Sequence, residues 1–124
     1  MIQTLFQVAL GGALGASARW LTGVAVLRLI GPGFPWATLL VNVLGSFLMG
    51  VLVLVLAGWG NRYAPFAMTG LLGGFTTFSA FSLDTVTLWE RGQPELALAY
   101  VAASVLLSLS ALAAGLVLAR AVLA

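Results

Sequence analysis

Four long apolar blocks, separated by short connectors rich in glycine and proline, set the pattern of this chain. The first runs from about Thr4 to Leu29, the second from Trp36 to Ala57, the third from Ala64 to Leu88, and the fourth from Leu96 to Leu123. Each is near or above the ~20 apolar residues that a helix needs to cross a bilayer. The connectors Gly31-Pro32-Gly33-Phe34-Pro35, Gly58-Trp59-Gly60-Asn61 and Arg91-Gly92-Gln93-Pro94 hold the expected helix breakers. Trp20, Trp36, Trp59 and Trp89 mostly fall near span ends, where the amphipathic indole sits at a membrane interface. The pattern predicts an all-α integral membrane protein, four transmembrane helices forming a single domain over residues 1–124. A cleaved signal peptide is the competing account of the first block. No basic segment precedes that block, and its length suits a span.

The third block contains the stretch around which the others are arranged, Gly73-Gly74-Phe75-Thr76-Thr77-Phe78-Ser79-Ala80-Phe81-Ser82. Paired glycines followed by β-branched threonines are poor helix interior, so the third helix is expected to break or loosen there. Carbonyls and amides freed inside a bilayer need protein, water or an ion as partner, because lipid offers none. Phe78 and Phe81 lie three residues apart and share a helical face, and Ser79 and Ser82 form an adjacent hydroxyl stripe. A break able to hold an ion, beside aromatics and hydroxyls, points to an ion path.

The other blocks supply its walls. Gly11, Gly15 and Arg19 step by four along the first helix, and Thr38, Asn42, Ser46 and Gly50 do so along the second. Tyr100, Ser104 and Ser108, continued by Ala111 and Gly115, mark one face of the fourth. Such faces commonly do no more than pack helices together. That explains the glycines and alanines, but explains Asn42, Tyr100 and the stacked hydroxyls less well.

Composition sharpens the class. The chain is 62% hydrophobic and 6% charged, with a mean hydropathy of +1.16, where a soluble domain would carry about a quarter charged residues. Lysine is absent and the net charge is +2, which leaves no basic patch for nucleic acid. Neither cysteine nor histidine occurs, which excludes disulfides, thiolate chemistry, histidine bases and histidine metal sites.

Charge placement bears on topology. Arg62 and Arg120 fall on the side shared by the N-terminus, the second loop and the C-terminus, and Arg28 and Arg91 fall on the other. The count is even, so the positive-inside bias that normally fixes orientation is missing. Two accounts stay open: weaker features select one orientation, or the chain inserts both ways and pairs as an antiparallel dimer.

Arg19 lies deep in the first block, where a charge is costly and faces protein or water. Neutralising helix carbonyls or snorkelling to an interface are the plainer roles, and lending positive potential to an anion vestibule is the functional one. Asn42 is either interhelical glue or a donor to a passing anion. Phe78 and Phe81 are core by default, yet their ring edges carry partial positive charge that can meet an anion. Asp84, Glu90 and Glu95 read as solvated mouths or helix caps. No Ser/His/Asp set, phosphate loop or side-chain metal cluster can be assembled, so the chain does not read as an enzyme.

The 73–82 stretch is similar to the signature of the Fluc/CrcB family of fluoride channels. Two more segments fit that family, Gly11-Gly12-Ala13-Leu14-Gly15-Ala16-Ser17-Ala18-Arg19-Trp20 and Thr38-Leu39-Leu40-Val41-Asn42-Val43-Leu44-Gly45-Ser46-Phe47. The resemblance covers the whole chain. It implies a passive, fluoride-selective channel of the plasma membrane that lets cytoplasmic fluoride out and so limits its toxicity. It also implies an antiparallel, dual-topology homodimer with two pores, each lined by both copies. A structural Na⁺ is implied at the dimer centre, not transported, held by the main-chain carbonyls of Gly73 and Thr76. The family's pore phenylalanines match Phe78 and Phe81, its pore asparagine Asn42, and its polar track Tyr100, Ser104 and Ser108. Thr77 and Ser79 sit beside the aromatic pair, and Arg19 matches the first-helix arginine. Ala80 stands where a hydroxyl is common in the family, which weakens one possible polar contact without touching the aromatic pair.

Two other classes are weighed against this. A small dual-topology multidrug exporter needs a proton-coupling carboxylate deep in the membrane. The first block has no acid, and Asp84 is the only acid well inside any span. A non-transporting membrane subunit would conduct nothing when purified alone.

Overall fold

The computed structural model describes residues 1–123. Among them the structure is helical, with four helical stretches long and apolar enough to cross a membrane: Ile2–Leu29, Trp36–Ala57, Pro65–Glu90 and Pro94–Leu123. The first is α1, Ile2–Leu29, and the second α2, Trp36–Ala57. The third stretch is composite. It opens as a π-helix over Pro65–Leu72, continues as the short α3, Gly73–Phe75, and resumes as α4, Phe78–Glu90. The fourth is α5, Pro94–Leu123. The sequence pattern placed the last two spans at 64–88 and 96–123. Helix continues to Glu90 and begins already at Pro94, because charged ends are tolerated where the helix leaves the apolar layer.

The turn from α4 to α5 follows from its residues. Gly92 is left-handed at φ 77°, its N–H donates to the Trp89 carbonyl, and the Gln93 N–H donates to the Leu88 carbonyl. This glycine-dependent pattern closes the C-terminus of α4. Pro94 then takes the first helical position, where a missing N–H costs nothing, and Glu95 lies in the first turn against the helix dipole.

Packing divides the molecule into two pairs. α2 and α5 make the most extensive contact, and α1 packs along the π-helical segment and α3. Both seams bring backbone against backbone. A Cβ added at Gly15 would strike the Leu71 carbonyl, and one at Gly115 would strike the Phe47 carbonyl. Within a bilayer, apolar side chains gain little by leaving lipid, so such close approach is what holds helices together. α1 and α2 touch each other sparingly, as do α2 and α4. The buried core is small and lies toward one end: Leu39, Leu88, Ala97 and Tyr100, with Phe34 and Phe81 packed against it. Val41, Leu56 and Leu72 are buried elsewhere, while many other large apolar side chains point outward.

Candidate ion-path site

Between α3 and α4 the backbone is extended at two residues, Thr76 (φ −89°, ψ 159°) and Thr77 (φ −154°, ψ 123°). Gly73 itself is helical (φ −62°, ψ −37°), so the departure falls on the threonines, which tolerate extended backbone, and not on the glycines. Gly74 serves packing instead: a Cβ there would lie 2.7 Å from the Gly12 carbonyl. The helix restarts with its own cap, Thr77 Oγ1 accepting from the Ala80 N–H at 3.1 Å.

The extended pair is held by α2. The Thr77 N–H donates to Asn42 Oδ1 at 2.8 Å, and Asn42 Nδ2 donates to the Thr77 carbonyl at 3.0 Å. The amide thus pairs with the N–H and carbonyl of one residue as a neighbouring strand would, and keeps one N–H in reserve. Two carbonyls lose their usual donors as a result. In a continuous helix, Gly73 O would accept from the Thr77 N–H and Thr76 O from the Ala80 N–H. Here Thr77 donates to Asn42 and Ala80 to the Thr77 hydroxyl.

Beside this point α2, α4 and α5 enclose an open groove of about 470 Å³. It brings together Asn42, Thr76, Thr77, Phe78, Phe81, Ser104 and Ser108 of the residues singled out from sequence. The rings of Phe78 and Phe81 lie 5.5 Å apart, tilted by 52°, and Phe78 is 78% exposed. Ser104 is buried, and its Oγ has no hydrogen-bond partner among the described residues. A buried hydroxyl is normally satisfied, so an unmatched one on a groove wall is unusual.

The remaining sequence candidates lie apart from the groove. Tyr100 is fully buried behind Phe81, ring centroids 5.2 Å apart, and its hydroxyl donates to Asp84 Oδ2 at 3.1 Å. Ser79 is exposed, its hydroxyl 3.2 Å from that of Thr77. Gly73 belongs to the helical backbone above the extended pair. Arg19 is on another side of α4, and its Nε–H donates to the Gly74 carbonyl at 3.1 Å.

Sequence reasoning overlooked two participants. Asp84, read as a mouth or cap, is the acceptor for Tyr100. Phe34, treated as part of a connector, meets Tyr100 edge-on at 5.5 Å and Trp36 at 4.6 Å. These extend the Phe78–Phe81–Tyr100 run into one aromatic series reaching the α1–α2 loop. The spacing of Tyr100 after Asp84 carries no helical period, so only a contact between α4 and α5 could have revealed the pair.

Comparison with known proteins places the chain in a family. The family model described as CrcB-like protein, Camphor Resistance (CrcB), matches residues 6–116. A protein of Cereibacter sphaeroides named "Fluoride-specific ion channel FluC" is 71% identical over 120 residues, covering 97% of both chains. Proteins of the same name from Paracoccus denitrificans and a Ruegeria species are 56% identical over 121 residues and 57% identical over 125. Coverage is 97% of each chain in the first case and 99% in the second. The four membrane-capable helices and the match over residues 6–116 agree: this chain belongs to the CrcB family.

Proposed function

We propose that this chain is a fluoride channel that passively releases cytoplasmic fluoride across the plasma membrane. The observation that carries the reading is the make-up of the groove: aromatic edges, an asparagine amide and an unmatched buried hydroxyl, with no acidic side chain on its wall. The names of the relatives point the same way.

The chemistry suits a small, strongly hydrated anion. To enter a dry passage it must exchange water for donors, since an unpaired buried charge is very costly. Ser104 and Ser108 supply hydroxyls, Asn42 its spare N–H, and Phe78 and Phe81 their positive ring edges. None is a full positive charge, so the ion is bound weakly enough to leave, as conduction requires.

In this reading the chain acts as an antiparallel homodimer with dual topology, which the even arginine count supports. The interruption of the third helix serves to hold a structural Na⁺ at the dimer centre. The carbonyls of Gly73 and Thr76 fit that role, because their helical donors are drawn away by Asn42 and by the Thr77 hydroxyl. Oxygen-only ligation suits a hard cation in a chain without cysteine or histidine. When bound, the ion would satisfy these carbonyls and add positive potential beside the anion path.

The test is fluoride efflux from liposomes containing the purified protein, read with a fluoride electrode and set beside chloride. Fast loss of fluoride without chloride, abolished by Phe81→Ile, is the expected result. Silence of the unsubstituted protein in sodium-containing buffer sinks the channel.

A further inference from the structure

The seam between α2 and α5 loosens toward its end. A Cβ added at Gly50 would strike the Leu112 carbonyl, and one at Gly115 the Phe47 carbonyl, so backbones touch there. Contacts advance together along the two helices, which therefore run parallel and finish on the same side. At Gly58, just past the end of α2, an added Cβ would meet only the Leu54 and Val55 carbonyls of that helix. Nothing of α5 comes within 4 Å of it. Here the two helices leave an open space of about 700 Å³, larger than the groove of Phe78 and Phe81. Its lining is of two kinds. Leu54, Val55 and Leu123 form an apolar wall, and Trp59 and Arg120, both exposed, add an indole and a guanidinium. The turn after α2 fixes Trp59, whose N–H donates to the Leu56 carbonyl. Gly60 and Asn61 follow in the left-handed region, at φ 72° and 58°, and the Asn61 N–H returns to that same carbonyl.

Charge decides what such a space would hold. The arginine count is even across the membrane, but the net charge is not. Glu90 and Glu95 accompany Arg28 and Arg91 on one side, whereas Arg62 and Arg120 share theirs with no acidic side chain. The ends of α2 and α5 each contribute roughly half a negative charge there, which one guanidinium offsets and two exceed. A guanidinium meets a phosphate with a two-pronged fork, and an indole sits readily at the headgroup level. The apolar wall suits a hydrocarbon chain, for which a free phosphate has no use. Lipids with and without net charge both carry a phosphate, and the surplus positive charge favours the anionic one.

We propose that this space binds one anionic phospholipid, its phosphate on Arg120, its glycerol region against Trp59 and an acyl chain along Leu54, Val55 and Leu123. Neither the site nor its test depends on what the protein conducts.

The purified protein in mild detergent is titrated with phosphatidylglycerol or phosphatidylcholine of matched chains, and bound lipid is counted by native mass spectrometry. The first phosphatidylglycerol should bind about fivefold tighter than the first phosphatidylcholine, as one arginine near the surface allows. Arg120→Gln should abolish that preference, and Arg120→Lys, which keeps the charge, should retain most of it. Arg62→Gln removes a charge from the same side but not from the lining, so affinity should change by less than about twofold once salt screens it. Trp59→Ala should weaken both lipids. Equal binding of the two lipids, or an undiminished preference in Arg120→Gln, overturns the site. An equal loss in Arg62→Gln also overturns it, since attraction to net charge would then suffice. Displacement of phosphatidylglycerol by inorganic phosphate would assign Arg120 to a soluble anion and sink the lipid. Arg120 is exposed, so its replacement should leave the elution volume unchanged. If it does not, Trp59→Ala decides, and undiminished lipid binding there overturns the site. A protein that takes up neither lipid overturns it as well, and leaves a second copy of the chain to cover that face.

Discussion

The seam of α1 against the π-helical segment and the groove among α2, α4 and α5 are built on opposite rules. In the seam, glycines bring backbones so close that a single methyl group has no room. In the groove, side chains carry the polar groups, and a buried serine hydroxyl is left unmatched. Lipid provides little drive for helix association, so a membrane protein obtains rigidity where backbones can touch. With rigid seams on the α1 and α5 sides, the groove can stay open and under-satisfied without collapse. Close backbone packing and the under-satisfied polar groups occupy different walls.

The sharpest way to break this division is to add volume to a seam. Gly15→Leu or Gly115→Leu places a side chain on a backbone carbonyl, an overpacking that costs about 3 kcal/mol or more. Loss of monodisperse protein on size exclusion is the expected outcome, and a normally folded Gly15→Leu would show that the seam is slack. Asn42→Ala tests the one residue that belongs to both regimes. It strands the Thr77 N–H and carbonyl, so we expect thermal unfolding to reveal about 2–3 kcal/mol of destabilisation, and efflux to fail. Ser104→Ala separates the regimes most cleanly. Its hydroxyl has no hydrogen-bond partner among the described residues, so stability should stay within about 0.5 kcal/mol while fluoride efflux falls. A large loss of stability there would mean that the hydroxyl is structural. A small gain, with no change in efflux, is expected at Gly12, where an added Cβ meets nothing within 4 Å. Gly12→Ala should gain up to about 1 kcal/mol from helix propensity. A measured loss instead would place a second copy of the chain against that face.

Hydropathy alone located the four spans, because ~20 apolar residues in a row have few other uses. Their ends shifted by a few residues where Glu90 and Glu95 lowered the local average although the helix continued. The fourfold spacing of Ser104 and Ser108 put both on one face of α5, and both line the groove. The same spacing did not separate Tyr100, which turns inward under Phe34 and Phe81. What stayed hidden were contacts without a period: Tyr100 with Asp84, Arg19 with the Gly74 carbonyl, and Thr77 with Asn42. Each joins residues on different helices, and a single sequence records such neighbours only through chemistry that many partners would satisfy. The π-helical winding of Pro65–Leu72 was equally silent, and no residue in it explains the winding.

The pairing of Asn42 with Thr77 also has a consequence for biosynthesis. The amide lies 35 residues earlier in the chain than the peptide it reads. On a growing polypeptide the partner is therefore made first, before the segment with two non-helical residues leaves the ribosome. That segment would otherwise enter lipid with polar backbone exposed, at several kcal/mol for each unsatisfied group. With α2 already present, those groups have a waiting partner, and the order of synthesis matches the order in which the polar groups must be covered.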